Sequence, residues 1–285
     1  MIHVCATDEN ISIKCDDKII LTYHIVETSL PEGVDETFKR SGYIHPLKTP
    51  GGNIVTDDYP WDHPHQHGMF LAWTSGEYNG RETDLWNQKK KQGRIKHVRT
   101  ENVFSDGFKV ILLHEAFSGH HFTPLIEEEW TVKAKINDGM YIVDFSSIQT
   151  CLTDSGFKIK KYHYGGFCIR GNREWNRTQQ YTFLTALGKS RDDGNHSPAE
   201  WIDMSGIVNG KLFGVTAINH PLNIRSPQKV RIPPDRPYFS FSPMVDDDIV
   251  LVKGQKFINR YSIILHDGPM DRSLVTKVFD SQTMY

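Results

Sequence analysis

The amino-acid sequence predicts an all-β, antiparallel fold closed by one short helix at its C-terminal end. Three observations predict it. Apolar and polar residues alternate with period two through many segments, Gly, Asn and Asp turn signals separate those segments, and helical spacing of apolar residues is confined to the last twenty or so positions.

The clearest strand covers residues 125–136. There Glu128, Trp130, Val132, Ala134 and Ile136 fall on one face, and Glu127, Glu129, Thr131, Lys133 and Lys135 on the other. Runs rich in β-branched and aromatic residues recur at about 18–26, 69–73, 94–104, 108–117, 140–150, 165–170, 211–219, 237–242, 248–252 and 256–266. Asn137-Asp138-Gly139 and Val208-Asn209-Gly210 carry the residues that tight hairpin turns demand. At the end of the chain, Asp267-Gly268-Pro269 can cap a helix whose Leu274, Val275, Val278 and Phe279 share a face. Residues 46–67 and 172–200 read as connections too long for simple hairpins, and such loops commonly border sites. Many strands without alternating helices indicate a sandwich or barrel, and the absence of repeats or linkers makes residues 1–285 one domain.

Composition narrows the function. The 285 residues suffice for a core without disulfides, and 38% hydrophobic with 24% charged residues describes a globular surface. Thirty-three Lys and Arg against 35 Asp and Glu leave a net charge of -2, which argues against nucleic acid and acidic lipid as partners. The first ten residues lack the basic start and apolar run of a secretory signal. No apolar stretch approaches the roughly 20 residues that span a bilayer. Cys5, Cys15, Cys151 and Cys168 are scattered, as reduced thiols are. A cytoplasmic protein acting on a small molecule is expected, and an oligomer is compatible with this composition.

Histidine is frequent, 14 residues, and clusters in Asp62-His63-Pro64-His65-Gln66-His67-Gly68. At alternate positions of an extended segment, His63, His65 and His67 share one side, where they could hold a divalent metal or perform acid–base chemistry. The competing reading is a hydrogen-bonded loop shaped by Pro64 and Gly68. Glu128, on the face of Trp130, must be paired, protonated or ligand-bound if that face is internal. His114 and Glu115 sit in a run apolar on both faces, so one of them is a candidate buried polar group, whereas His120 and His121 read as a solvated turn. Tyr162-His163-Tyr164-Gly165-Gly166 puts two glycines where a ligand could approach, and Arg170 follows as a possible grip for hydroxyls or carboxylates. His220 and Asn223 close a strand, and Trp61, Trp73, Trp86, Trp175 and Tyr164 offer faces on which sugar rings stack. A GxSxG elbow, a P-loop and GxGxxG are absent.

Several segments together resemble the family labelled methane oxygenase PmoA-like. They are His45-Pro46 with Thr49-Pro50-Gly51-Gly52, Asp62-His63-Pro64-His65, residues 80–86, Gly165-Gly166-Phe167-Cys168-Ile169-Arg170, Trp201-Ile202-Asp203-Met204-Ser205-Gly206, His220-Pro221-Leu222-Asn223 and the ending from Arg260-Tyr261 to His266-Asp267-Gly268. One departure is Gln66-His67 where that family reads His-Arg, so His63 and His65 are the firmer site residues and His67 the weaker. The resemblance implies a β-supersandwich of the galactose-mutarotase type and carbohydrate processing. The oxygenase label does not transfer, because a particulate methane oxygenase subunit is an integral membrane protein.

The leading expectation is a carbohydrate-active enzyme, a lyase, hydrolase or isomerase acting on a sugar or keto-sugar glycoside. His63 and His65 serve in it as acid–base groups or metal ligands, with Glu128 as a second acid–base group and Arg170, His163, His220, Asn223 and Trp86 holding the substrate. A cupin-like metal oxygenase is the second reading, weakened because no carboxylate follows His65 at the expected distance. A non-catalytic sugar-binding module is the third. The enzyme reading expects His63, His65, His163 and His220 to converge on one pocket.

Overall fold

Alternation turns one face of each strand inward, and the computed structural model, which describes residues 1–283, shows where those faces meet. Two eight-stranded antiparallel sheets carry them. The first runs, edge to edge, Ile2–Ala6, Asn10–Cys15, Lys18–His24, Ile44–Leu47, Met69–Ala72, Gly166–Arg170, Tyr238–Phe241 and Val230–Arg231. The second runs Tyr181–Thr185, Trp201–Val208, Lys211–Asn219, Lys256–Asp267, Met140–Cys151, Phe122–Asn137, Gly107–Phe117 and Gly93–Val103. A smaller four-stranded sheet is built from Ile249–Leu251, Phe157–Ile159, Gly76–Tyr78 and Arg81–Thr83.

The two large sheets form a sandwich whose inner faces interlock through aromatic rings. Tyr23 of the first sheet packs against Phe108 and Trp130 of the second, with centroids 5.3 and 5.9 Å apart, and Phe167 stacks on Tyr261 at 4.2 Å. Each such ring, fully buried, contributes on the order of 1.5–3 kcal/mol. Residues 125–136 alternate as expected: Glu128, Trp130, Val132 and Ala134 point inward, while Ile136 at the strand end is 46% exposed. Both foreseen hairpins form, with φ of +48° and +77° at Asp138 and Gly139 and +51° and +74° at Asn209 and Gly210. The positive φ at both central positions is why Asn, Asp and Gly are needed there.

Three expectations are corrected. The C-terminal helix is Arg272–Thr283, and its cap is Asp271, whose Oδ1 accepts from the amides of Ser273 and Leu274. Asp267 instead ties down residues 49–53, accepting from Thr49 Oγ1, the Gly51 amide and Asn53 Nδ2. Leu274, Val275 and Val278 of this helix pack on Ile142, Trp201, Ile218 and Ile264 in a second apolar cluster. Residues 172–200 are not a bare loop: they hold the helix Arg173–Thr178, capped by Asn172, and the strand Tyr181–Thr185. The strand reading missed Ile2–Ala6, Asn10–Cys15, Tyr181–Thr185 and Val230–Arg231, the short segments Ile44–Leu47, Gly76–Tyr78, Arg81–Thr83 and Phe157–Ile159, too brief for periodicity to register, and Trp201–Val208, which is buried on both faces through Gly206 and so shows no alternation. All four cysteines are free, and no helix among the described residues is long and apolar enough to cross a membrane.

Between the sheets lies a buried polar network centred on Glu128. Its Oε2 accepts from His114 Nε2 at 2.6 Å, and its Oε1 accepts from Ser147 Oγ and from Gln149 Nε2, the latter at 2.9 Å. Gln149 Oε1 in turn accepts from Trp73 Nε1 at 2.8 Å. Burial alone would raise the Glu128 carboxyl, but His114 and the two neutral donors hold it below its usual range. Removing one member of a buried ionic pair strands the other in a low-dielectric interior. Glu128→Ala is therefore expected to lower unfolding free energy by about 3–5 kcal/mol in urea titrations, and Glu128→Gln by less, since it keeps an acceptor. A loss for Glu128→Ala below about 1 kcal/mol would contradict the network's role.

Candidate active site

The segment linking Ile44–Leu47 to Met69–Ala72 is held against the first sheet before it reaches its histidines. The amide of Asp57 donates to Arg170 O, the amide of Arg170 to Gly68 O, and the amide of Gly68 to Asp57 O. Gly68 has φ of +51°, and a Cβ there would lie 2.2 Å from Ile44 O, so only glycine lets the chain turn into its strand at this point. Turns at residues 61–62 and 64–65 break the extended conformation that equal spacing of the histidines presupposes.

His67 consequently points inward. It is fully buried, its Nδ1–H donates to Asp58 Oδ1 at 2.9 Å, and its Nε2 lies 3.2 Å from Gln88 Oε1. Tyr43 Oη donates to the other Asp58 oxygen at 2.8 Å. Burial pushes the Asp58 carboxyl upward, but the bond from His67 outweighs it and keeps Asp58 ionised. This pair staples the loop, leaving His63 and His65 on the other side of the turn.

Arg170 supports those two from beneath. Its side chain is fully buried; Nη1 donates to Gln66 Oε1 at 2.7 Å and Nη2 to Asp62 Oδ1 at 2.8 Å. Asp62 Oδ2 lies 3.4 Å from His63 Nδ1. Burial opposes ionisation of Asp62, yet His63 and the Arg170 charge hold its carboxyl far below the usual range. The guanidinium thus fixes the residues on either side of His63 and His65.

A cavity of ≈ 240 Å³ opens beside them, lined by His63, His65, Gln66, Trp86, Asn87, His163, Tyr164, Arg231, Pro233, Arg236 and Tyr238. The His63 and His65 rings stand edge to face, centroids 5.4 Å apart. Trp86 forms an aromatic wall with Phe70, Tyr164 and Tyr238, at 4.7, 5.4 and 6.4 Å. Tyr164 Oη donates to Asn87 Oδ1 at 3.1 Å, and burial pushes its phenol up to about 12. Arg236 Nη1 contacts the His63 imidazole while the same guanidinium is paired to Asp235. Burial, reinforced by the neighbouring His63 and His67, lowers His65 to about 3, so near neutral pH it is an uncharged imidazole that can donate or accept a hydrogen bond. Partial burial and the Arg231 charge also lower His163.

A model of the family of unknown function DUF6807 matches residues 10–280. The chain belongs to this family. The match supports DUF6807 membership and not the PmoA-like family suggested by sequence motifs. No relative among curated proteins matches. Two solved structures are similar to the DUF6807 chain. One is a galactose mutarotase related enzyme from Lactobacillus acidophilus, 9% identical, covering 93% of this chain and 97% of that one at a TM-score of 0.42. The other is the heparan sulfate lyase HepC from Pedobacter heparinus, 7% identical, covering 92% of this chain and 34% of that one at a TM-score of 0.36. Neither likeness is close enough to bear on what the chain does.

The DUF6807 cavity gathers His63, His65, His163 and Trp86 and leaves out the other residues expected there. His67 is the loop staple, turned inward onto Asp58 and away from His63 and His65; among the described residues no group of three or more His, Cys, Asp or Glu is placed to hold a metal ion. Glu128 lies inside the sandwich and not in the cavity, because the face it shares with Trp130 is the internal one. Arg170 has no exposure and does not line the cavity; it lies beneath it, bonded to Asp62 and Gln66. His220 lines a different cavity of ≈ 280 Å³, under the C-terminal helix beside Arg260 and Lys133. Asn223 is spent on the backbone, donating to Arg260 O and accepting from Arg260 N. The residues missed are Asn87, Arg231, Pro233, Arg236 and Tyr238, of which the two arginines bring charge. The sequence signal for the two arginines is the Pro233-Pro234 pair between them, a stiff turn that presents a cation at each end.

Histidines held neutral make stability depend on pH. Unfolded imidazoles titrate near 6.5. With His65 at about 3 and His45 and His97 at about 4, chiefly through burial, the unfolded chain binds more protons between those values and 6.5, so stability falls as pH drops through that window. His266 works the other way, since burial would lower it but Asp203 raises it. The melting temperature is expected to be lower at pH 5 than at pH 7, and His65→Gln should flatten the decline by up to about 1.4 kcal/mol per pH unit. An unchanged slope in His65→Gln would contradict a neutral, half-buried His65.

Proposed function

We propose that this protein is a carbohydrate-processing enzyme that binds a small sugar or sugar derivative in the cavity at His63 and His65. One observation carries the reading: two imidazoles on one stapled loop face the same small cavity as an aromatic wall and several side-chain hydrogen-bonding groups. A sugar ring has apolar faces and a polar rim, and a wall of Trp86, Tyr164 and Tyr238 beside imidazole, amide and guanidinium groups complements both. At ≈ 240 Å³ the space is smaller than a drug-sized pocket and suits a single ring.

His63 is the candidate proton carrier, since it adjoins the Asp62 carboxylate that orients and stabilises it. His65, kept neutral, is suited to hydrogen-bonding a carbonyl or hydroxyl where charge develops. Elimination, isomerisation and hydrolysis each need a proton removed at one atom and delivered at another, and His63, taking the proton and then returning it, is the group placed to do both. A cytoplasmic setting agrees with the composition and the free thiols.

Product analysis across a panel of sugars, keto-sugars and their glycosides tests the proposal. His63→Ala is expected to lower kcat at least about 100-fold with the melting temperature preserved, the range in which positioned acid–base groups act. His67→Ala is expected to lose stability first, because it removes the staple. Full activity in both His63→Ala and His65→Ala, or saturable sugar binding with no turnover of any panel member, would overturn it, the latter in favour of a binding module.

A further inference from the structure

The charge around the cavity is one-sided. Two guanidinium groups, Arg231 and Arg236, line it, and no Asp or Glu does. The nearby carboxylates are engaged elsewhere. Asp62 accepts from the buried Arg170, and Asp84 accepts from the amides of Trp86 and Asn87 and pairs with Lys90 at 2.9 Å. Asp235 pairs with Arg236 from the solvent side, where it is 58% exposed. Arg231 has no carboxylate partner among the described residues; its Nη1 donates to Asn195 Oδ1 at 3.0 Å, and that same oxygen accepts from the Ile232 amide, which anchors the turn carrying both arginines. A partly enclosed space with cationic walls concentrates anions, and a guanidinium fork matches a carboxylate's two oxygens.

We infer that the ligand of this cavity is a sugar acid, a monosaccharide whose carboxylate is bound by Arg231 and Arg236. The inference rests on the sugar reading above and adds the charge. Arg231 is the principal anchor, because Arg236 already has Asp235. The small volume leaves room for one ring and its carboxylate, with the ring against Tyr164 and the carboxylate toward the arginine turn. In that pose the hydroxyl-bearing side faces His63 and His65.

Isothermal titration calorimetry on the full chain decides it, with glucuronate, galacturonate and gluconate as acids, glucose, galactose and glucitol as their neutral counterparts, and sodium sulfate as a bare anion. At least one acid is expected to bind about tenfold or more tighter than its neutral counterpart, with affinity falling as salt is raised. Arg231→Gln should cut that affinity about tenfold or more and Arg231→Lys by less, since the lysine keeps charge and loses the fork. If Arg231→Gln unfolds, Arg236→Gln and the salt dependence of the unaltered chain carry the decision. Neutral sugars binding as tightly as acids, insensitive to the arginine substitutions, would overturn the inference and leave the sugar reading standing. Sulfate binding as tightly as the acids, or no binding by any probe, would overturn both.

Discussion

A guanidinium shut away from water has to be satisfied by the chain around it, and at Arg170 the chain supplying the partners is the histidine loop. The strand Gly166–Arg170 is buried along its whole length, so its last side chain cannot reach solvent. Asp62 and Gln66 are drawn over it, and the backbone of residues 57 and 68 closes on the same strand. An unpaired charge at that depth would cost several kcal/mol, which makes the loop's position a consequence of the strand's burial. His63 and His65 then have one side left to occupy, and it is the cavity side.

Three of the chain's histidines are held inside by a carboxylate. His67 with Asp58, His114 with Glu128 and His266 with Asp203 are interior pairs, each with imidazole and carboxylate within 2.9 Å. They stabilise the loop, the sandwich interior and the second sheet respectively. His65 and His163 line the cavity with no carboxylate in contact, and their basicity is lowered chiefly by burial. The abundance of histidine thus reflects structural use as much as chemistry.

Long strands were legible in the sequence because a half-buried strand at 122–137 or 256–267 repeats its period often enough to be read. In the small sheet only Ile249–Leu251 fell within a run read as strand; Gly76–Tyr78, Arg81–Thr83 and Phe157–Ile159 are too short to show a period, and Phe157–Ile159 pairs only with segments distant in sequence. The histidine segment was found from density alone, but its geometry was misread. Equal spacing predicts a shared side only for an extended chain, and the turn at Pro64 with the Asp58–His67 pair reverses that. Glu128 was expected to be paired, protonated or ligand-bound if its face is internal; the face is internal and the carboxylate is paired, at a depth between the sheets that alternation alone does not separate from a cavity wall. Arg231 and Arg236 escaped notice because the cavity assembles them from a segment more than 160 residues away from His63. Arg170 was singled out, but as a ligand contact. Its true neighbours, Asp62 and Gln66, lie 108 and 104 positions off.

The central claim is that burial of Arg170 fixes where His63 and His65 stand. A crystal structure of Arg170→Met tests it most directly, because methionine occupies the buried site and removes both side-chain hydrogen bonds to the loop, those to Asp62 and Gln66, while leaving the backbone bonds to residues 57 and 68 in place. The account predicts both sheets intact, with residues 62–66 displaced or disordered and the two imidazoles no longer facing the cavity together. Finding His63 and His65 in their present positions in that variant would contradict it.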